Sequence, residues 1–117
     1  MVTKMDKRNN RVVLSLGGNI GEVKQAFITS INLLQDKVGD VVSTSSLYQT
    51  QAWGVGNQPD FLNQVLIINS SLPPHKVLKV CMEIELELGR VRAQKWYERT
   101  IDIDVLFYDD EIIKTVK

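Results

Sequence analysis

Apolar positions along this chain recur with two periods, and the switch between them sets out the elements. Arg11-Val12-Val13-Leu14-Ser15-Leu16 is rich in β-formers and is followed by Gly17-Gly18-Asn19, which predicts a strand over 11–16 stopped by a glycine turn. From Glu22 to Lys37 the residues Val23, Ala26, Phe27, Ser30, Ile31 and Leu34 fall at three- and four-residue spacing, the signature of a helix, and Gly39 ends it. Val41 to Tyr48 mixes β-branched and small polar residues, as expected of one partly exposed strand leading into a loop over 50–60. The run Val65-Leu66-Ile67-Ile68 within 61–69 fits a buried central strand, and Pro73-Pro74 then suits the first turn of a second helix over 75–88, closed by Gly89. Its apolar side holds Val77, Leu78, Cys81, Ile84 and Leu88, with Glu85 as the odd member.

The last strand carries the least expected pattern. In Arg99-Thr100-Ile101-Asp102-Ile103-Asp104-Val105-Leu106-Phe107, alternation puts Ile101, Ile103 and Val105 on one side and Asp102 and Asp104 on the other, with the aspartate Cα atoms roughly 6.5 to 7 Å apart. Two carboxylates side by side repel unless solvated or bridged by a cation. A solvated outer face explains the pattern; so does a divalent metal that also holds a polyphosphate, since magnesium is commonly held by one or two carboxylates plus substrate phosphates. Asp109-Asp110 then turns the chain into a short strand at Glu111-Ile112-Ile113.

The order β-α-β-β-α-β with a C-terminal hairpin predicts an α+β, ferredoxin-like fold in which two helices cover one face of an antiparallel sheet. The isoleucine side of the last long strand then belongs under the helices, and Asp102 and Asp104 belong on the open face, where a ligand can approach.

Composition narrows the function class. The chain has 117 residues, 44% of them hydrophobic, the make-up of a single globular domain over 11–117. Fourteen Lys and Arg balance fourteen Asp and Glu, so no bulk field draws it to nucleic acid or anionic lipid. The one cysteine, Cys81, excludes an internal disulfide and a thiolate zinc cluster, and its helical position predicts a buried thiol. Met1 to Asn10 is polar and lysine-rich, which predicts a disordered tail rather than a signal peptide or membrane span, and a cytoplasmic protein. The one histidine, His75, stands at a helix start, so a histidine-dependent triad is excluded.

Local clusters carry the candidate chemistry. Arg90, Arg92, Lys95 and Arg99 precede the aspartates and share their segment with Trp96 and Tyr97. Guanidinium forks for phosphate beside carboxylates for a metal are what a metal-triphosphate needs. Thr50 to Asp60, with Trp53, leads into Phe61 and Asn63, where an aromatic face and an amide edge suit a flat heterocycle; ordinary core and turn roles suit the same residues. No P-loop or dinucleotide fingerprint is present.

Taken together, Leu16-Gly17-Gly18-Asn19-Ile20-Gly21, Ser45-Ser46-Leu47-Tyr48-Gln49-Thr50, Gln58-Pro59-Asp60-Phe61-Leu62-Asn63, Gly89-Arg90-Val91-Arg92 and Arg99-Thr100-Ile101-Asp102-Ile103-Asp104 closely resemble the hydroxymethyl-dihydropterin pyrophosphokinase family of folate biosynthesis. The resemblance implies transfer of pyrophosphate from ATP to 6-hydroxymethyl-7,8-dihydropterin with release of AMP. It implies two magnesium ions on Asp102 and Asp104, phosphate contacts from Arg90, Arg92 and Arg99, and ATP contacts at Glu85, Trp96 and Val105. Thr50, Trp53, Phe61 and Asn63 fall at the pterin-pocket positions, and the loop carrying Arg90, Arg92, Trp96 and Arg99 would order over the substrates as a lid. Gly18 stands where the family commonly has serine, and Gln51 where it often has proline. Family members also continue past the position of Lys117 with further phosphate and pterin contacts, which leads to the expectation of weak turnover in this chain and keeps a second reading open: a noncatalytic pterin- or nucleotide-binding or assembly module. A two-metal nuclease fits less well, for want of more carboxylates and an extended basic surface.

Overall fold

The computed structural model describes residues 10–51, 59–90 and 101–113, with the backbone alone at 89 and 90. Strand β1 (Asn10–Gly18) leads to helix α1 (Val23–Lys37), then β2 (Gly39–Thr44), β3 (Tyr48–Thr50) and β4 (Phe61–Ser70). Helix α2 (Pro74–Glu85) passes into a π-helical turn (Leu86–Arg90), and β5 (Asp102–Tyr108) and β6 (Glu111–Ile112) close the chain. The sheet runs β2-β4-β1-β5-β6 with β3 also paired to β4, and every pairing is antiparallel. This is the ferredoxin-like order that the pattern predicts, with β1 at the centre.

One core lies between sheet and helices. Val12, Leu14 and Leu16 of β1, Leu66 and Ile68 of β4, and Ile103 and Val105 of β5 meet Phe27 and Leu34 of α1 and Val77, Cys81 and Ile84 of α2, all buried. Alternation does the sorting, since the residues between these on each strand face the other way. Cys81 is buried and His75 exposed, in agreement with their sequence contexts. No helix among the described residues is long and apolar enough to cross a membrane.

Several boundaries differ from the sequence expectation. Gly17 and Gly18 do not end β1; they continue its ladder opposite Asn63 and Leu62, and the chain bends after Asn19, over 20–22. Asn10, assigned to the tail, is the first residue of β1, while residues 1–9 lie outside the description. The segment over 41–48 is two strands, because Ser45 interrupts the ladder: its Oγ accepts from Val65 N at 2.9 Å and its own N–H donates to Val65 O at 2.8 Å. Gly39 is the first residue of β2, after a helix capped at Val38. A Cβ on Gly39 would collide with the carbonyl oxygen of Asn69, so this glycine serves the close approach of β2 to β4. Gly89 does not stop the second helix, which widens into the π turn instead.

A register shift between Val13 and Leu14 sorts the far half of β5. With Leu106 as the extra residue, Phe107 falls on the open face, 40% exposed, and Tyr108 turns into the core. The Tyr108 hydroxyl donates to Leu72 O at 2.6 Å, tying β5 to the segment before α2. Burial first, then the neighbouring carboxylates of Asp109 and Glu111, raise its pKa above the ordinary 10.0.

Candidate active site

The open face of the sheet gathers candidate residues from four strands into one row. Tyr48 of β3 pairs with Asn63 of β4, Asn63 with Gly17 of β1, and Gly17 with Asp102 of β5. Residues directly paired across antiparallel strands share a face, so the Asn63 amide and the Asp102 carboxylate rise from the same surface two strand spacings apart, roughly 10 Å. Gly17 stands between them without a side chain. A Cβ there would meet Asn63 Oδ1 at 3.5 Å and Leu62 O at 3.9 Å, ordinary contacts, so its absence leaves a groove over β1. In the next row Ser15 lies opposite both Val65 and Asp104.

Asn63 is held on one side. Its Nδ2 donates to Thr50 Oγ1 at 3.0 Å, with Tyr48 O at 3.3 Å and Phe61 O at 3.4 Å. The nitrogen is thereby committed to the protein, and the Oδ1 acceptor is turned toward Gly17, in position for a donor edge of a ligand. Thr50 and Phe61 form the last pair of β3 with β4, on the same face as Asn63. Thr50 is thus a partner of Asn63, and Phe61, half-buried, flanks it with an aromatic ring.

Asp102 and Asp104 are half-buried on this face, while Ile101, Ile103 and Val105 are each 1% exposed on the other. The alternation read from the sequence holds residue by residue. Among the described residues no group of three or more His, Cys, Asp or Glu could hold a metal. The donor set is two carboxylates above a strand with a glycine beside them, which suits a hard, oxygen-seeking cation that completes its shell with phosphate oxygens and water. Val105 turns its side chain into the core, so any contact it makes with a ligand is through its backbone.

Glu85, 1% exposed on α2, sends Oε2 to the backbone N–H of Ile103 at 2.6 Å. It therefore touches the aspartate strand at the residue between the two aspartates, which explains a carboxylate among apolar neighbours. For Arg90 the backbone alone is described, at the end of the π turn, and Trp53, Arg92, Trp96 and Arg99 lie outside the described residues. Sequence reasoning took the Gly17 to Asn19 stretch as a turn and missed where two of its residues stand. Gly17 is the groove between the two halves of the site, and Asn19 reaches across to Pro59. Only the tertiary pairing of β1 with both β4 and β5 reveals them.

At the other end of the same face, Val13, Ile67 and Phe107 floor a shallow depression of about 440 Å³ rimmed by Arg11, Asp109 and Asp110. None of the predicted site residues among the described ones lines it.

Comparisons with known proteins bear on the family and the fold. The family model described as 7,8-dihydro-6-hydroxymethylpterin-pyrophosphokinase matches residues 13–116. The 2-amino-4-hydroxy-6-hydroxymethyldihydropteridine pyrophosphokinase of Aquifex aeolicus is 39% identical over 104 residues, 89% of this chain and 64% of that protein. That of Methylorubrum extorquens is 43% identical, over 85% of this chain and 63% of its own length, and that of Bacillus subtilis 38%, over 92% and 65%. The chain thus spans just under two thirds of the length of these relatives. Among solved structures, wild-type Plasmodium falciparum HPPK-DHPS superposes with a TM-score of 0.68 at 19% identity, covering 90% of this chain and 30% of that one. The same protein with SDX-DHP gives 0.69 at 18%. At that identity the likeness speaks for the fold.

Proposed function

The chain belongs to the 7,8-dihydro-6-hydroxymethylpterin-pyrophosphokinase family, and from that premise we propose that it transfers pyrophosphate from ATP to 6-hydroxymethyl-7,8-dihydropterin. The observation that carries the reading is the row Asn63, Gly17, Asp102 on the open face, with a heterocycle-binding amide at one end and a carboxylate pair at the other. The pterin ring would lie over Gly17, stacked on Phe61 and donating its amide-like edge to Asn63 Oδ1. That pose directs the hydroxymethyl group toward Asp102 and Asp104.

In the reaction the pterin hydroxyl oxygen gives up its proton to solvent water and bonds to the β-phosphorus of ATP, the bond from that phosphorus to the α,β-bridging oxygen breaks, and AMP leaves with the electron pair. The protein contributes positioning and charge, the main terms in phosphoryl-type transfers. Asp102 and Asp104 would hold two magnesium ions, which when bound neutralise the triphosphate. Arg90, Arg92 and Arg99 would take phosphate oxygens, Trp96 would cover the nucleotide, and Trp53 would close the pterin loop. Glu85 supports β5 at Ile103, and the Val105 backbone is the nucleotide contact.

The test has two readouts. AMP release from ATP should depend on added dihydropterin, and a nonhydrolysable ATP analogue should bind with magnesium to the parent chain but at least about tenfold more weakly to Asp102→Asn and Asp104→Asn, for loss of charge-assisted contacts. Binding of both ligands without AMP release would point to the noncatalytic module. Binding of neither, or unchanged affinity in both variants, would overturn the assignment.

A further inference from the structure

Strands β1 and β4 remain in register to their last pair, Gly18 opposite Leu62. Beyond it the two backbones part, since β1 ends at Gly18 and the chain bends over 20–22, while the chain ahead of β4 comes in through Pro59 and Asp60. A side chain bridges the gap: Asn19 Nδ2 donates to Pro59 O at 3.1 Å.

Two observations separate this bond from a casual surface contact. Asn19 is 5% exposed, whereas Ile20, Gly21 and Glu22 after it are exposed. A buried amide is retained where its hydrogen bonds are made, because leaving them unmade forfeits its hydration. Pro59, moreover, has no N–H, so its carbonyl is the one main-chain group by which the residue can be held. Pro59 and Asp60 are themselves exposed and add no core packing of their own. Phe61 follows two residues later and Asn63 two residues after that.

We infer that Asn19 is a positioning residue for the heterocycle end of the site: by holding Pro59 it fixes the start of β4, and with it the ring of Phe61 relative to the acceptor of Asn63. It acts through Pro59. The inference rests on the pterin reading of that end, and it makes the turn after β1 part of substrate selection, with a loss that falls on one substrate only.

The experiment uses the whole chain and two variants. Asn19→Asp keeps the shape but sets an oxygen against the Pro59 carbonyl; Asn19→Ala removes the group. Each should weaken dihydropterin binding about tenfold, the worth of one well-placed hydrogen bond, while binding of a magnesium-ATP analogue alone stays within about twofold. In the ligand-free protein, amide exchange at Asp60 and Phe61 should quicken about tenfold in both variants, with exchange in α1 and α2 unchanged. Parent-like pterin affinity in both variants, or parallel loss of both ligands, would overturn the inference. Should the parent itself bind no pterin, the functional reading fails first, and exchange at Asp60 and Phe61 then decides the anchor alone: unchanged rates sink it.

Discussion

Glu85 and Ile103 are joined across the two layers of the fold by a 2.6 Å hydrogen bond from the strand amide to the helix carboxylate. Strand β5 pairs with β1 on one side, and among the described residues its other side is covered at Phe107 and Tyr108 by β6 and at Leu106 by the Ile113 N–H. A carboxylate from α2 therefore supplies, at Ile103, what a neighbouring strand would otherwise supply, and it does so between the two aspartates.

Glu85→Gln keeps an acceptor for that amide and should cost no more than about 1.5 kcal/mol. Glu85→Ala removes the acceptor and opens space in a buried layer, for an expected loss of about 2–4 kcal/mol. Urea unfolding of the two variants measures the difference. Equal stability of Glu85→Ala and the parent would mean that β5 keeps its place without this bond.

Gly17 and Gly39 predict opposite outcomes for the same substitution. Gly39→Ala sets a methyl into the Asn69 carbonyl, and since backbone must shift, it should cost about 2 kcal/mol or more. Gly17→Ala meets ordinary contacts only, so melting should change little, while the methyl intrudes on the groove between Asn63 and Asp102 and lowers pterin affinity. Thermal melts beside a pterin titration would show it; a Gly17→Ala variant with unaltered affinity would place the ligand elsewhere.

Tyr108 makes stability depend on alkaline pH. Its pKa is raised in the folded state, so the folded protein holds the proton more tightly than the unfolded chain. The associated stability is complete below pH 10.0 and is lost as pH rises through the raised value, where the hydroxyl also ceases to donate to Leu72. Tyr108→Phe should lower stability at neutral pH by about 1–2 kcal/mol and remove this tyrosine's share of the alkaline loss. Unfolding free energies at a series of pH values from neutral to strongly alkaline would reveal the converging curves.

Ser30 is fully buried in α1, and its Oγ has no hydrogen-bond partner among the described residues. Ser30→Ala removes an unsatisfied hydroxyl and installs a better helix former, so the variant should gain about 0.5–2 kcal/mol. A lower midpoint in urea would refute this.

The strand and helix order and the faces of Asp102 and Asp104 were legible in the sequence because each rests on a local period, two for strands and near 3.6 for helices. Thr50, Phe61 and Asn63 were legible as a group through their motif, yet their mutual bonds were not, since they depend on β3 lying against β4. Glu85 stood out as an acidic residue on an apolar stripe, but its partner Ile103 lies on another element. The glycines misled because one residue type serves turns, close approach and empty space alike, and only pairing tells which. Asn19 was hidden for the same reason, its partner being Pro59 across the sheet.

The central place of β1 has a consequence for biosynthesis. This first strand is flanked by β4 and β5, and its opening contacts reach nearly the length of the chain, as between Arg11 and Asp109, 98 positions apart. Loop closure over such distances is slow, and a chain emerging from the ribosome cannot seat β5 until almost all of the described fold has been made. Until then the inner edge of β1 waits with open main-chain groups, and the aspartates of β5 are still absent. Nascent chains arrested before residue 101 should therefore be sensitive to chaperones and proteases, and competence to bind nucleotide should arise abruptly, with the last strands, rather than grow with chain length.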